Sequence, residues 1–509
     1  MSAQPIPRPE RVAPTRLGDL AALLASAGGP PPTSTPEVTV TGVTHDSREI
    51  RPGDLYAALP GSRSHGAEFA AQAVAAGATA ILTDPVGRAA AEAAGLPTLA
   101  AADPRAVLGD VAARVYGDPT SRLSVLGITG TSGKTTTAYL AESGLRAAGH
   151  VTGMLGTVET RVADERIPSV RTTPEATDLQ ALFALMAERG VTAVAMEVSS
   201  HALALGRVAG TRFATAAFTN FGLDHLDFHT DRDDYFAAKA RLFDGRARAE
   251  VLNADDPAVA ALARTRPGAL TVSTRGDATW SAEDVREDGA GQLFTVRGPD
   301  GLRLPGRVRL AGRFNVDNAL LAIAALVATG VDPETAVRGV GDCAGVPGRL
   351  ERVTPTGAPV FGVVDYAHKP DAVTAVLAAL RPATRGRLLC VLGCGGDRDA
   401  GKRPLMGEAA ARGADVLVVT DDNPRSEDPA AIRAAMLTGA ARVPSSARAE
   451  VLELGDRAEA IAWAAKAAEP GDTVAVLGKG HEPYQEVAGT VLAFDDREVL
   501  GAALREVFA

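Results

Sequence analysis

Aromatic side chains are scarce in this 509-residue chain: 13 Phe, 6 Tyr and 2 Trp make up 4% of it. Its cores must therefore be filled chiefly by Ala, Val and Leu. Many loops must lie between them, since Gly and Pro number 53 and 32. Cysteine is scarcer still. Cys343, Cys390 and Cys394 are odd in number and spaced for neither a disulfide framework nor a zinc site, which fits a reducing compartment. There is no basic excess: 52 Lys and Arg against 62 Asp and Glu leave a net charge of −10. That excludes a general polyanion binder such as a nucleic-acid coat protein, but not a local cationic pocket for phosphates. No uninterrupted apolar run reaches the ~18 residues of a membrane span, and the longest apolar helical pattern is Ala319–Ala328. Residues 1–15 lack the apolar core of a secretory signal. Being rich in proline, they are expected to be disordered, and the protein is expected to be cytoplasmic.

What is present reads as a folded α/β chain, with 46% hydrophobic and 22% charged residues. A prior of about 150 residues per domain gives about three domains. The first, residues 1–102, alternates short strands (Val38–Val43, Leu55–Leu59, Ala78–Leu82) with helices (Leu17–Ala27, Phe69–Ala76), and Gly28–Pro36 is expected to break the first helix. Helix Pro104–Tyr116 leads into residues 103–346. There the buried strand Leu123–Thr129 precedes a loop, a helix Thr135–Ala148, and further strand–helix alternation to Gly341. The cluster Gly345-Val-Pro-Gly348 opens the third domain, 347–509, with strands at Val360–Val364, Leu388–Leu392, Asp415–Val419 and Thr473–Leu477. Such alternation predicts parallel sheets.

Between strand Leu123–Thr129 and the helix lies Gly130-Thr131-Ser132-Gly133-Lys134-Thr135-Thr136. Glycines there let backbone N–H groups turn onto phosphate oxygens, a lysine neutralises the β- and γ-phosphates, and the Thr135 hydroxyl suits Mg²⁺. The spacing departs from GxxxxGK[ST], with glycines at Gly127 and Gly130 ahead of Gly133. An acid at the carboxyl end of a second apolar strand faces the same crevice, which makes Glu197 of Met196-Glu-Val-Ser-Ser-His201 the first expected metal ligand. His201 reads equally as a ligand or as a structural hydrogen-bonding residue. The loop Asn220–His229 crowds Asp224, His225, Asp227 and His229 together. Lys239 by itself reads as a surface residue of an amphipathic helix.

Together these segments resemble the Mur ligase family, ATP-dependent amide-forming enzymes of peptidoglycan synthesis. The motifs are G-T-S-G-K-T-T, E-V-S-S-H, N-F-x-x-D-H-x-D, K-x-x-L-F from Lys239, G-R-F-N-x-x-N, G-R-L-E and D-Y-A-H, in the family's order. The resemblance implies a small α/β substrate domain, a central P-loop-type ATPase domain and a Rossmann-like third domain. It implies that Lys239 is carbamylated by CO₂, and that Thr135, Glu197, His225 and this carbamate hold Mg²⁺, with two ions expected. It places Asn315 and Asn318 near the nucleotide base. Arg349 and Asp365 would come to ATP from the third domain, with Lys134 as the catalytic cation.

The resemblance also implies the substrates. Asp422-Asn423-Pro424-Arg425 matches the branch of the family that takes meso-diaminopimelate. That amino acid carries two carboxylates and two amines. Arg425 and Arg398 suit its distal carboxylate, and Glu482, next to Gly478, suits its distal ammonium. Lysine lacks the second carboxylate, so an arginine pair would be left unmatched by it. Ser47, with His45 beside it, and Ser62, Arg63 and Ser64 match the site for the uridine nucleotide. Thr172, Thr173, Ser199 and Arg207 match contacts to the muramoyl-dipeptide; the family often has Gln two residues before this Arg, where this chain has Leu205. A monomer is expected. Two enzyme alternatives stay open: a lysine-adding relative, and a folylpolyglutamate synthase relative, against which Asp46-Ser47-Arg48 speaks. A nucleotide-switched binding protein is the alternative of another class.

Overall fold

A computed structural model describes residues 6–26, 37–167, 171–222, 224–289 and 291–508. The expected breaker at Gly28–Pro36 and Leu223 of the histidine loop lie outside the described residues. The chain forms two compact units. One comprises Met1–Ser281, Val296–Leu304 and Asp317–Val340; the other comprises Ala282–Thr295, Pro305–Val316 and Gly341–Ala509.

In the first unit, Gly42–Thr44, Asp54–Ala58, Ala80–Thr83 and Thr98–Ala100 pair in that order, all parallel. Strands buried on both faces read as unbroken apolar runs, which is why their sequences showed them. Leu20 and Leu24 of helix Leu17–Ser26 and Leu108, Val111 and Val115 of helix Pro104–Val115 close the core over Val43, Leu55 and Leu82. The i, i+3, i+7 spacing of those last three puts them on one face, and Asp103 caps their helix just before Pro104. One expectation fails here. Residues 6–16 are not a disordered tail: Arg8 pairs with Asp54 at 2.7 Å, and the Glu10 and Arg11 amides donate to Glu188. Thr15–Arg16 pairs as a strand with Thr39–Val40. The prolines suppress helix there, but not binding to the body of the unit.

The nucleotide sheet of this unit places Ser124–Thr129 between Ala193–Glu197 and Phe213–Phe218, all parallel. The register sets Glu197 opposite Ile128 and Phe218 opposite Thr129. The loops that follow these three strands therefore leave the sheet at one edge, where open parallel sheets bind ligands. Gly127 lies inside the strand, where a Cβ would stand 2.6 Å from the Phe213 ring. Its role is packing, not phosphate cradling. The expected strand–helix alternation to Gly341 breaks down: strands Trp280–Asp288, Gly291–Arg297 and Arg303–Val308 follow one another with only a short turn, Pro299–Gly301, between the last two.

The second unit has its own sheet in the order Glu351–Arg352, Phe361–Asp365, Thr473–Leu477, Leu388–Leu392, Val416–Val419, Glu450–Glu453. Every pair is parallel except the first. Asp365 and Leu392 both register with Leu477, and Leu392 with Val419. The loops beginning at Tyr366, Gly393, Thr420 and Gly478 thus emerge side by side. A hairpin, Tyr484–Val487 with Thr490–Ala493, follows the last of them. Among the described residues no helix is long and apolar enough to cross a membrane. Cys343, Cys390 and Cys394 are buried and form no disulfide among the described residues, and burial pushes the Cys390 and Cys394 thiols up to about 12.

Candidate functional site

The loop Gly130–Gly133 ends on the N-terminus of helix Lys134–Ala147, whose first amide N–H groups have no helical partner. Two of its glycines are obligatory. Gly130 has φ +145° and a Cβ there would lie 1.8 Å from Thr219 Oγ1; Gly133 has φ +85° and a Cβ would lie 2.4 Å from Asn318 Oδ1. The neighbouring strand end braces the loop. Thr131 N donates to Asn220 O at 2.9 Å and Ser132 N to Asn220 Oδ1 at 3.0 Å, while Thr219 Oγ1 donates to Ser132 O at 2.6 Å. Neither Thr219 nor the Asn220 side chain had been singled out; the strand pairing is what puts them there.

Two ammonium groups meet at this loop. Lys134 Nζ donates to Gly130 O at 2.9 Å and to Thr131 O at 3.2 Å. Lys239 Nζ donates to the same Gly130 O at 2.7 Å. Lys239 is only 1% exposed and lies 4.5 Å from the centre of the Tyr235 ring. The sequence pattern made it a surface residue by itself; the fold buries it instead. The Tyr235 hydroxyl in turn meets Thr131 Oγ1 at 3.2 Å. Thr135 and Thr136 are buried in the first helical turn, and Asn318 Oδ1 accepts from Thr137 Oγ1 at 3.4 Å. Asn315, grouped with the second unit, donates its amide to Ala311 O at 2.7 Å.

Glu197, 1% exposed, accepts at Oε1 from Thr157 N (2.8 Å) and at Oε2 from Thr157 Oγ1 (3.2 Å). Thr157 Oγ1 also meets Thr172 Oγ1 at 2.9 Å. The Thr173 hydroxyl donates to Glu197 O and accepts from Ser199 N, so Thr172, Thr173, Ser199 and Glu197 form one group. Arg207 extends it, reaching Thr173 O at 3.4 Å and Glu175 at 2.8 Å. Buried Glu175, not anticipated, also faces Arg105 at 3.4 Å and Arg171 at 3.9 Å. Burial opposes its ionisation, but Arg207, His45, Arg171 and Arg105 together hold the carboxyl below its usual range. The Arg207 Nε is buried without a hydrogen-bond partner, a spare donor in a cationic corner.

His45 bonds Thr177 at 3.2 Å, and burial keeps its ring below the usual histidine range. Ser47 lies in the loop after Gly42–Thr44, next to the strand of Tyr56, whose hydroxyl donates to Gly66 O at 2.9 Å and whose phenol burial pushes up to about 12. Ser62, Arg63 and Ser64 lie exposed on a turn closed by Gly61 N to Ser64 O at 3.2 Å.

The histidine loop folds onto His201. The His201 ring meets His225 edge-on at 4.8 Å and Phe228 at 4.1 Å. His225 sits at φ +53° and pairs with Asp224 at 3.1 Å, and His229 pairs with Asp234 at 3.2 Å. Among the described residues no three His, Cys, Asp or Glu side chains converge as a ligand set. The residues that suit Mg²⁺ at the loop are hard oxygen donors, the Thr135 hydroxyl and the Glu197 carboxylate, both buried.

In the second unit, Asp365 is buried and its pKa is raised by burial, against the pull of Arg349 and of the Leu350 and Ala367 amides that donate to it. Arg349 stacks over the Tyr366 ring at 4.4 Å. The four loops of this edge are tied together. Gly396 N donates to Asn423 O at 2.9 Å, and Arg425 Nη1 donates to Gly396 O at 2.7 Å. Ser426 N and Oγ donate to the Asp397 carboxylate at 3.1 and 2.7 Å. Exposed Arg398 is carried on this pinned loop, next to Asp397. Arg425, at φ +53°, also faces Glu486 at 3.4 Å. Asn423 Nδ2 donates to Glu482 at 2.9 Å, and a Cβ on Gly478 would stand 2.7 Å from Asp422 Oδ2. The fold thus brings Arg398's loop, Asp422–Arg425, Gly478 and Glu482 together. Sequence reasoning missed three residues here: Arg403, bidentate to Glu427 at 2.9 and 2.7 Å, Arg457 and Lys479.

A glycine loop on a helix N-terminus, braced at a sheet edge and facing two lysines, defines a P-loop-type nucleotide-binding α/β protein. Residues 39–116 match the Mur ligase family catalytic domain, 128–326 the Mur ligase middle domain and 348–480 the Mur ligase glutamate ligase domain. The UDP-N-acetylmuramoyl-L-alanyl-D-glutamate–2,6-diaminopimelate ligases of Streptomyces coelicolor and Streptomyces avermitilis are 57% and 56% identical to it, each over 98% of both chains. A solved structure of a ligase of that name, 33% identical, superposes with a TM-score of 0.68 over 93% of this chain and 96% of the other. The chain belongs to the Mur ligase family and is an ATP-dependent, amide-bond-forming ligase, of a family that uses ATP and Mg²⁺.

Proposed function

We propose that this enzyme joins meso-2,6-diaminopimelate to the D-Glu carboxylate of UDP-N-acetylmuramoyl-L-Ala-D-Glu in the cytoplasmic synthesis of peptidoglycan precursors. The observation that carries the choice of amino acid is the second unit's loop edge. It brings a guanidinium, Arg425, and a carboxylate, Glu482, to one edge: Arg425 Nη1 donates to Gly396 O at 2.7 Å, Gly396 N to Asn423 O at 2.9 Å, and Asn423 Nδ2 to Glu482 at 2.9 Å. A lysine would match Glu482 but bring no second carboxylate to Arg398 and to Arg425, which also faces Glu486. The high identity to relatives bearing that ligase name supports the same reading. In it, residues 1–102 bind the uridine nucleotide, 103–346 bind ATP and 347–509 bind the amino acid, and the enzyme works as a monomer.

A carboxylate is a poor electrophile. An oxygen of the D-Glu γ-carboxylate attacks the γ-phosphorus of ATP, the bond to ADP breaks, and an acyl phosphate forms. The amine of diaminopimelate then attacks the acyl carbon, and the tetrahedral adduct expels phosphate. Lys134 stabilises charge on the transferring phosphoryl group. Gly130–Thr136 hold the phosphates, with the amides at the helix N-terminus as donors, and Asn315 and Asn318 border the nucleotide. Thr172, Thr173, Ser199 and Arg207 orient the muramoyl-dipeptide, while Ser47 and Ser62–Ser64 take its uridine nucleotide. Thr135, Glu197 and His225 would hold Mg²⁺, which polarises phosphate oxygens when bound. Lys239, made anionic by CO₂, would supply a bidentate anionic ligand that helps to hold a second such ion. Arg349 and Asp365 contribute to ATP from the third domain, and orientation of the three substrates accounts for much of the remaining acceleration.

The test is phosphate release. It is expected only when ATP, the UDP-muramoyl-dipeptide and diaminopimelate are all present, with product mass showing diaminopimelate taken over lysine, ornithine and alanine in competition. Release without either cosubstrate points to a nucleotide switch, and incorporation of lysine points to the lysine-adding branch. Lys239→Ala is expected to lose about 10²-fold or more in kcat and to regain part of it with a small carboxylic acid; full activity would remove the carbamate role.

A further inference from the structure

Two fully buried cations cross the amino-acid lobe, and they differ in what answers them. Arg457 has a dedicated carboxylate, Asp496, at 2.7 Å through both Nε and Nη2, and both side chains are 0% exposed. Its other donors reach Leu477 O at 3.0 Å and Asp421 O at 3.3 Å, the strand ends from which the two pocket segments start. Lys479, also 0% exposed, is answered by groups of the pocket itself. Its Nζ donates to Asn423 Oδ1 at 3.0 Å and to Glu482 Oε2 at 3.3 Å, and lies 5.4 Å from the centre of the Tyr484 ring.

The third side of this triangle is Asn423 Nδ2 donating to the same Glu482 Oε2 at 2.9 Å, while Asn423 Oδ1 also accepts from Glu486 N at 2.9 Å. An ammonium can only donate. It therefore turns the amide oxygen of Asn423 toward itself and the amide nitrogen toward Glu482. Both of these donors fall on Oε2, so Oε1 is the carboxylate oxygen that faces a ligand. A buried cation that merely completes a charge pair costs stability alone when it is removed. One that aims a substrate-facing carboxylate costs discrimination between amino acids as well.

We infer that Lys479 is a positioning residue for amino-acid specificity: by locking the Asn423 amide and holding Glu482 Oε2, it presents Oε1 to the distal ammonium of the incoming amino acid. The inference rests on the proposed use of diaminopimelate. Its chemistry is that of a shared ion pair: the ligand's ammonium completes the coordination of a carboxylate already half-satisfied by the protein.

The test compares the full-length enzyme with Lys479→Met, Lys479→Arg and Asn423→Asp in steady-state assays with each substrate varied. Lys479→Met is expected to raise KM for diaminopimelate about tenfold or more, to lower discrimination against lysine by a similar factor, and to leave KM for ATP and kcat at saturation within about twofold. Lys479→Arg is expected to recover part of that KM. Asn423→Asp keeps an acceptor for Lys479 but turns an oxygen on Glu482, and is expected to raise the same KM with the lysine in place. An unchanged diaminopimelate KM in Lys479→Met overturns the inference. So does a loss shared equally by all three substrates together with a lowered melting temperature, which marks a structural role. Should Lys479→Met fail to fold, an unchanged KM in Asn423→Asp overturns it alone. If the wild-type enzyme does not use diaminopimelate, the functional reading fails; if it does and the variants keep its KM, only the role of Lys479 falls.

Discussion

The phosphate loop of the first unit and the loop edge of the second are built in opposite ways. The first is largely contiguous: Gly130 to Thr136 supply the cradle, the lysine and the helix N-terminus within seven residues, Thr219 and Asn220 brace it, and Lys239 comes from afar to the Gly130 carbonyl. The second is assembled from pieces at 396–398, 421–427, 457, 479–486 and 496, and its polar groups mostly bind one another. A contiguous site draws its geometry from the local backbone. A dispersed one draws it from buried side-chain pairs, so its pocket and the stability of its lobe are one network.

That contrast can be broken experimentally. Lys134→Ala is expected to lower kcat by about 10³-fold or more while leaving the melting temperature unchanged, since the ammonium donates to carbonyls of its own loop, at Gly130 and Thr131. Phosphate release and a thermal melt on the same preparation check both halves. A large drop in melting temperature would mean that the phosphate loop is as structurally committed as the second unit.

In the second unit the order of effects reverses. Arg457→Met strands Asp496 in a fully buried position and is expected to destabilise that unit by about 3 kcal/mol or more. Arg457→Met combined with Asp496→Leu removes both charges and is expected to recover most of the loss. Denaturant unfolding of the two variants measures the coupling. Equal destabilisation by the single and double variants would show that Arg457 acts through the Leu477 and Asp421 carbonyls instead.

The same contrast explains what could be read from the residues alone. Buried parallel strands show as apolar runs, so Ser124–Thr129, Leu388–Leu392 and Thr473–Leu477 were legible almost to the residue. The phosphate loop was legible because its chemistry is consecutive. Gly127, ahead of the loop, serves strand packing against Phe213, a demand that the residue type alone does not separate from phosphate cradling. Thr219, Glu175, Arg457 and Lys479 were not legible, because each acquires its meaning from a partner tens of residues away. The strands at 280–308 were missed because partly exposed strands alternate polar and apolar residues without a helix between them to mark the rhythm. Residues 6–16 were misread because a proline-rich composition says nothing of Asp54 and Glu188 waiting to bind them.

The smallest expected effect lies in the first unit, away from the phosphate loop. Asp178 stands in the first turn of helix Ala176–Glu188, where the helix dipole favours a carboxylate. Burial wins over that, aided by Glu49 and Glu175 and opposed by Arg8 and Arg171, and pushes its pKa up to about 6. A carboxyl whose pKa is higher folded than unfolded binds more protons in the folded state. Its contribution is complete below the unfolded value near 4 and is lost as pH rises through about 6. Asp178→Asn keeps the neutral form at every pH. The variant is expected to match the wild type below about pH 4 and to exceed it by about 2 kcal/mol at pH 7, read as a melting-temperature difference that opens between about pH 4 and 6. A constant difference across that range would show that Asp178 is ionised in the folded protein throughout, with Arg8 and Arg171 outweighing burial as they do not in the arrangement described.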